Sequence, residues 1–356
     1  MDAKSDALLP ALLNSLDVLE FVARHLDPSL FGALMGAIDA CDVKLRTAHA
    51  QMRDDTPDWL RLAADETLAA FDGLKAAFAQ DDIRGAFRAL RHAPRAQEAL
   101  YPHAASEPPI NRFFIDHALR NNEEMLRGCA QPPRDGETGI IQFGNDYGTR
   151  GGFSVYVPET YTPDRALPLV VALHGGSGHG RGFLWSWLRD ARTYGAILIS
   201  PTATGPTWAL MGDDTDTPNL NRILDLVRGR WNVDLARLLM TGMSDGGTFC
   251  YVSGLEPASR FTHLAPVSAA FHPMLASMAD ADRLRGLPIF MVHGALDWMF
   301  PVAVAQQAQR VLTQIAANVT YREIDDLSHT YPREINAEML GWMGEGNDQS
   351  TVKRAN

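Results

Sequence analysis

Arg237-Leu238-Leu239-Met240-Thr241-Gly242-Met243-Ser244-Asp245-Gly246-Gly247 is the stretch on which the reading of the whole chain turns. Its first five residues have the apolar character of a buried strand, and a helical pattern follows Gly247. The G-x-S-x-G between them therefore sits at a strand-to-helix turn, the setting in which the motif presents a nucleophile. A serine at so sharp a turn has strained backbone angles, and its neighbours must lack side chains where strand and helix meet. The turn lifts the Ser244 hydroxyl above the sheet and aims N–H groups from the helix start at the same point.

A serine hydroxyl attacks well only when a base removes its proton, so a histidine and an orienting acid are required downstream. Pro288-Ile289-Phe290-Met291-Val292-His293-Gly294-Ala295-Leu296-Asp297 reads as an apolar strand ending in a turn that carries an acid. After a helix and the strand-like Val319–Ile324 comes Asp325-Asp326-Leu327-Ser328-His329-Thr330. Ser244, Asp297 and His329 then lie past the C-terminal ends of strands, on one rim, in the chain order serine, acid, histidine. Asp297 could instead cap the helix before which Pro301 stands. Asp325 and Asp326 are rival acids that precede His329 too closely for that order, and His293 is read as structural because it lies inside the strand-to-turn transition.

Acyl transfer also needs donors for the charge that develops on the carbonyl oxygen. Leu173-His174-Gly175-Gly176-Ser177-Gly178-His179-Gly180 follows the most apolar strand, and the N–H groups of Gly176 and Asp245 are assigned to this oxyanion hole. Gly175 and Ser177 are alternatives to Gly176. A phosphate loop is the competing reading of the glycines, but the Lys-Ser/Thr ending and the dinucleotide spacing are absent.

Outward from these motifs, continuous apolar runs at Leu167–Leu173, Ala196–Ser200, Leu238–Thr241, Leu264–Val267 and Ile289–Val292 suit parallel strands covered on both faces. Phe153–Val157 alternates like a half-buried strand. Helical patterns at Leu220–Trp231 and Val302–Ala316 lie between runs, so an α/β fold is expected, a mostly parallel sheet flanked by helices. Residues 1–130 read as helices only. Leu9, Leu12, Leu13, Leu16, Leu19 and Val22 mark the first; Asp27-Pro28 and Thr56-Pro57 open the next two, the latter holding Leu60, Leu62, Leu68 and Phe71. Further helical patterns cover 82–102, interrupted at Pro94, and 110–128. The Pro- and Gly-bearing stretch from Gly128 to Gly136 breaks them. The expected organisation is a helical segment over 1–130, a linker over 131–138, a catalytic domain over 139–348 and a tail over 349–356.

The 356 residues carry a formal net charge of −11, which argues against nucleic acid and an anionic membrane surface as partners. Cys41, Cys129 and Cys250 lack metal-site spacing and are expected to be buried thiols. Met1–Pro10 lacks the pattern of a secretory leader, and no run reaches the roughly 18 apolar residues of a membrane span. A cytoplasmic location is the expectation. No cofactor or metal is expected, because serine, histidine and backbone donors already supply nucleophile, base and electrophile.

From about residue 139 to 345 the chain resembles the carboxylesterase/phospholipase and polyhydroxybutyrate-depolymerase-like branch of the α/β-hydrolases. The residues that carry the resemblance are Leu173-His174-Gly175-Gly176, Gly242-Met243-Ser244-Asp245-Gly246-Gly247, His293-Gly294-Ala295-Leu296-Asp297 and Ser328-His329-Thr330. It implies a cofactor-free serine hydrolase of small or medium carboxylic esters, working through an acyl-enzyme. An amide, peptide, thioester or hydroxyalkanoate-oligomer substrate, and a binding protein on the same fold, are the alternatives. Trp208, Met211 and Trp298 are the expected pocket residues, with loop packing as the other reading of Trp208 and Met211. Asp213, Asp214 and Asp216 read as a solvated acidic turn. The N-terminal helices, each with an apolar face to bury, are expected to cap the site or to join copies of the chain.

Overall fold

The computed structural model describes residues 7–345. They divide into two compact units, with the boundary between Pro132 and Pro133. The tail expected at 349–356 lies outside the described residues.

The first unit is helical: α1 (Leu8–Arg24), α2 (Phe31–His49), α3 (Asp58–Phe78), α4 (Ile83–Ala89), α5 (His92–Leu100), α6 (Pro108–Phe113) and α7 (Glu123–Cys129). Helix α1 buries Leu12, Leu16, Leu19 and Val22, the stripe that three- and four-residue spacing puts on one face. Asp27 caps a short 3₁₀ turn, Pro28–Leu30, that leads into α2. On α3, Leu60, Leu68 and Phe71 are buried but Leu62 is exposed. Two helical positions turn the chain by about 200°, so Leu60 and Leu62 cannot share a face. The break expected at Pro94 falls instead at Leu90–Arg91, between α4 and α5. Pro94 sits in the first turn of α5, where a missing N–H costs nothing.

The second unit holds one eight-stranded sheet. Its strands are β1 (Gly139–Phe143), β2 (Phe153–Val157), β3 (Leu167–Leu173), β4 (Ile197–Pro201), β5 (Val233–Met243), β6 (His263–Val267), β7 (Pro288–Gly294) and β8 (Asn318–Ile324). The spatial order is β1-β2-β4-β3-β5-β6-β7-β8, with β2 antiparallel to both neighbours and the pairs from β4 to β8 all parallel. Between strands run α8 (Gly180–Phe183), α9 (Leu188–Tyr194), α10 (Asp216–Arg230), α11 (Asp245–Gly254), α12 (Pro273–Met278), α13 (Ala281–Leu284) and α14 (Val302–Gln314), with α15 (Asn336–Glu345) last. This is the mostly parallel sheet flanked by helices that the apolar runs predict, and it fits the α/β-hydrolase fold that the resemblance implies.

Strand burial follows the runs: β4 and β6 are buried at every residue, and β3 at all but Pro168. Strand β2 departs from expectation, since all five of its residues are buried. Its polar positions face polar partners inside the protein: the Tyr156 hydroxyl donates to Glu159 Oε2 at 2.7 Å, and Arg192 pairs with Glu159 at 3.3 Å. Cys41, Cys129 and Cys250 are all buried free thiols. No helix among the described residues is long and apolar enough to cross a membrane.

Candidate active site

Strand β5 ends at Met243 and α11 begins at Asp245, which leaves Ser244 alone at the turn. Its φ is +56° and its ψ −117°, a conformation that costs on the order of 1–3 kcal/mol in a residue with a side chain. The surroundings enforce it: Ser244 N–H donates to the Val267 carbonyl at 2.9 Å, and its own carbonyl accepts from Thr248 N–H at 2.8 Å. The flanking glycines are required by contact. A Cβ on Gly242 would lie 2.5 Å from the Gly246 carbonyl carbon, and one on Gly246 would lie 2.5 Å from the Leu173 carbonyl oxygen. Strand and helix thus approach closer than any side chain permits.

Beside this turn stand the other two residues. Asp297 follows β7 and His329 follows β8, and the two loops are tied by Ala295 N–H to the Ile324 carbonyl (2.9 Å) and Leu296 N–H to the Leu327 carbonyl (3.0 Å). His329 Nε2 lies 3.0 Å from Ser244 Oγ, while its Nδ1 lies 2.9 Å from Asp297 Oδ2 and 3.1 Å from Oδ1. With Nδ1–H donating to the carboxylate, Nε2 is left as the acceptor for the serine hydroxyl. All three side chains are buried.

Burial by itself would raise the pKa of Asp297. The hydrogen bond and charge of His329, together with the Phe300 N–H, outweigh it and hold the carboxyl below its usual value. Asp297 Oδ1 also accepts from Met299 N–H at 2.9 Å and Phe300 N–H at 2.8 Å. These bonds close the bend over residues 298–300; the helix that follows starts at Val302 with Pro301 before it and no side-chain cap, so Asp297 does not cap it.

The loop Gly175–Gly178 lies against the turn. A Cβ on Gly175 would be 3.7 Å from Ser244 Cβ, and one on Gly176 would be 2.7 Å from Asp245 Oδ2. Gly176 and the first residue of α11 therefore meet next to the serine, and the N–H of Asp245 has no acceptor within its own helix. Ser177 has φ +55° inside a turn closed by Gly178 N–H to the Gly175 carbonyl.

Several residues that hold this loop carried no readable signal. His174 Nδ1 lies 2.7 Å from the Gly175 carbonyl and its Nε2 accepts from Ala203 N–H at 3.1 Å. Burial pushes its basicity down to about 3, so the ring is neutral and both bonds are kept. Arg150 reaches from the β1–β2 connection to the carbonyls of Gly205 (2.7 Å) and Gly178 (2.8 Å), clamping two loops together. The Thr207 hydroxyl donates to Asp245 Oδ2 at 2.6 Å.

The expected pocket residues separate. Trp208 is a correction: it is buried, stacks on Phe249 with centroids 5.3 Å apart, and donates Nε1–H to the His174 carbonyl at 2.7 Å. It packs beneath the loop rather than walling a pocket, because the chain after β4 turns inward to satisfy that carbonyl. Met211 is 93% exposed and touches no such wall. Trp298 does stand beside the site, 42% exposed and edge-on to the His329 ring at 5.9 Å. The acidic turn is a second correction. Asp216 is buried, accepting from Thr204 N–H at 2.7 Å and Ala209 N–H at 2.8 Å, and Asp214 accepts from the first N–H groups of α10.

Among the described residues, Asp17, Glu20 and His117 of the helical unit are the one group close enough to share a cation. Arg120 already pairs with Asp17 at 3.3 Å and Gln97 donates to Glu20 at 3.3 Å.

Comparison with known proteins agrees with the fold. Residues 219–340 match the family described as phospholipase/carboxylesterase. A bifunctional acetylxylan esterase/xylanase of Neocallimastix patriciarum is 31% identical over 163 residues, 43% of this chain and 23% of that protein. Acetylxylan esterase A of Emericella nidulans is 28% identical over 127 residues, 32% of this chain and 41% of that protein. The chain thus spans less than half the length of either curated relative. Among solved structures, a truncated carbohydrate esterase from gut microbiota superposes with a TM-score of 0.50 at 12% identity, over 60% of this chain and 98% of that one. That likeness concerns the fold alone.

Proposed function

We propose, from the α/β-hydrolase fold of its second unit, that this chain cleaves carboxylic esters through an acyl-enzyme formed on Ser244. The observation that carries the reading is the unbroken line Ser244 Oγ, His329 Nε2 (3.0 Å), His329 Nδ1, Asp297 Oδ2 (2.9 Å) on one rim of the sheet. Ser244 Oγ attacks the carbonyl carbon while His329 Nε2 takes its proton. Asp297 keeps the imidazole in the tautomer that can accept, and stabilises the cation that results. The oxygen of the tetrahedral intermediate is held by the N–H groups of Gly176 and Asp245, each worth about 3–4 kcal/mol to the transition state. His329 then passes the proton to the departing alcohol oxygen. Water attacks the acyl-enzyme by the same route in reverse, returning Ser244 to its hydroxyl form and releasing the acid.

The two curated relatives are acetylxylan esterases, which supports an ester over an amide or thioester and makes a short acyl group the first to test. Trp298, exposed beside the histidine that protonates the leaving oxygen, belongs on the alcohol side of this site. The test is hydrolysis of p-nitrophenyl esters from acetate to octanoate and of acetylated xylan oligomers, by the full chain and by Ser244→Ala. Activity in the first that vanishes in the second, with folding unchanged, is the expected result. Undiminished turnover by Ser244→Ala would falsify the assignment of the nucleophile.

A further inference from the structure

We infer that His293 is a positioning residue for the acid of the site: its Nε2–H holds the Phe300 carbonyl and so fixes the turn that aims Asp297 at His329. The inference rests on the triad reading above and adds a fourth side chain to it. His293 is the penultimate residue of β7, 1% exposed, with Nε2 2.8 Å from the Phe300 carbonyl oxygen. The same nitrogen lies 3.5 Å from Asp297 Oδ2, on the carboxylate that His329 approaches at 2.9 Å.

Phe300 is the hub of this arrangement. Its N–H donates to Asp297 Oδ1 at 2.8 Å, its carbonyl accepts from His293, and its ring meets that of His329 edge-on at 5.3 Å. Asp297 N–H closes the turn on the Gly294 carbonyl at 3.2 Å. A carboxylate held by two backbone donors points where those donors point, so whatever anchors residues 299 and 300 sets its aim. The anchor is a side chain at the end of a central strand, which is more rigid than the loop it steadies. Because a carbonyl can only accept, His293 must carry its proton on Nε2. The charged or titratable groups that face the ring are Asp297 on its own loop, His329 beyond that carboxylate, and Glu323, its register partner on β8.

The experiment compares His293→Leu and His293→Gln in the full chain, with Ser244→Ala as a control, on p-nitrophenyl acetate. Leucine fills the space without a donor, whereas glutamine can supply an N–H close to the position of Nε2. Leucine is expected to lower kcat by about 10- to 100-fold, the range for misplacing a catalytic group by up to an ångström. KM should change by no more than about twofold, since His293 does not touch substrate. The acid limb of the kcat/KM profile should move to lower pH, because a carboxylate less well aimed at His329 supports its protonated form less. Glutamine should recover most of the rate and return the limb to its place, which a purely structural loss of packing would not produce.

Wild-type kinetics and an unmoved limb in His293→Leu overturn the inference, as does a glutamine variant as poor as leucine. Full activity in Ser244→Ala is a separate outcome, and sinks the triad reading itself. If the leucine variant does not fold, imidazole ¹⁵N spectra of the wild type at alkaline pH decide the point. An Nε2–H tautomer for His293 is expected, and an Nδ1–H tautomer removes the donor on which everything here depends.

Discussion

Replacing glycine by alanine at two positions of the second unit should have opposite consequences. At Gly242 the new methyl would sit 2.5 Å from the Gly246 carbonyl carbon, 2.6 Å from its oxygen and 2.8 Å from Leu173 Cβ. Two of those atoms are backbone and cannot swing aside. Real Cβ contacts essentially never fall below 3.0 Å, so strand β5 and helix α11 must part by about 0.5 Å. Displacement of that size overpacks the core by about 1–3 kcal/mol. It also lengthens the 3.0 Å contact between Ser244 Oγ and His329 Nε2 towards about 3.5 Å, the limit of a useful hydrogen bond. Since an ångström of misplacement costs roughly 100-fold in rate, at least a tenfold fall in kcat follows. Gly229, on α10, has nothing within 4 Å of its would-be Cβ. Alanine there should stabilise the chain by about 0.4–1 kcal/mol by restricting the unfolded state, with kcat unchanged. Urea denaturation and ester hydrolysis measured on both variants supply the two readouts. Wild-type stability and turnover in Gly242→Ala, or equal damage at Gly229, would refute the claim that close backbone approach is what the motif's glycines provide.

Two further outcomes concern buried polar groups of the second unit. Trp208→Phe keeps the stack on Phe249 but removes the 2.7 Å donor to the buried His174 carbonyl, at a cost of about 1–3 kcal/mol. It should also lower kcat more than KM, and equal urea midpoints for variant and wild type would show that the bond contributes nothing. Acid should destabilise the fold well before its carboxylates titrate. Burial lowers His174 from 6.5 to about 3 and His263 to about 4, so the unfolded chain binds protons that the folded one refuses. Stability is therefore complete above about pH 6.5 and falls as pH drops below it, by about 1.4 kcal/mol per unit for each ring. Urea midpoints taken from pH 7 downward check this, and a flat profile to about pH 5 contradicts it.

What was legible in the sequence is what short-range constraints dictate. The run Leu167–Leu173 is continuous because β3 is covered on both faces, and its bounds agree with the strand observed. Gly242 and Gly246 are fixed by backbone contact within a few residues of Ser244, so the motif reports its own geometry. Asp297 and His329 were found because each follows a strand whose apolar run could be read. Strand β1 was missed: Gly139–Phe143 is mostly half-buried at the sheet edge, with neither a continuous apolar run nor a clean alternation to mark it. Ser154 and Tyr156 on β2 made a buried strand look half-exposed, since a polar residue with a buried partner has the same letter as one facing water.

The site residues that the sequence reading misplaced or missed share one cause. Trp208, Asp216 and Arg150 each bond to backbone atoms of a loop that the sequence places elsewhere: Trp208 to residue 174, Asp216 to residues 204 and 209, Arg150 to residues 178 and 205. The partner in every case is a main-chain N–H or carbonyl, a group every residue other than proline carries in full, so no residue type announces it. A triad is readable because its chemistry demands particular side chains. Its scaffold is not, because a carbonyl may be satisfied by tryptophan, arginine or histidine alike. In this chain all three types do so around one loop, and the loop's position beside Ser244 depends on their joint geometry rather than on any one of them. Single substitutions among these three should therefore weaken the loop in a coupled way, with losses in double variants that depart from the sum of the singles.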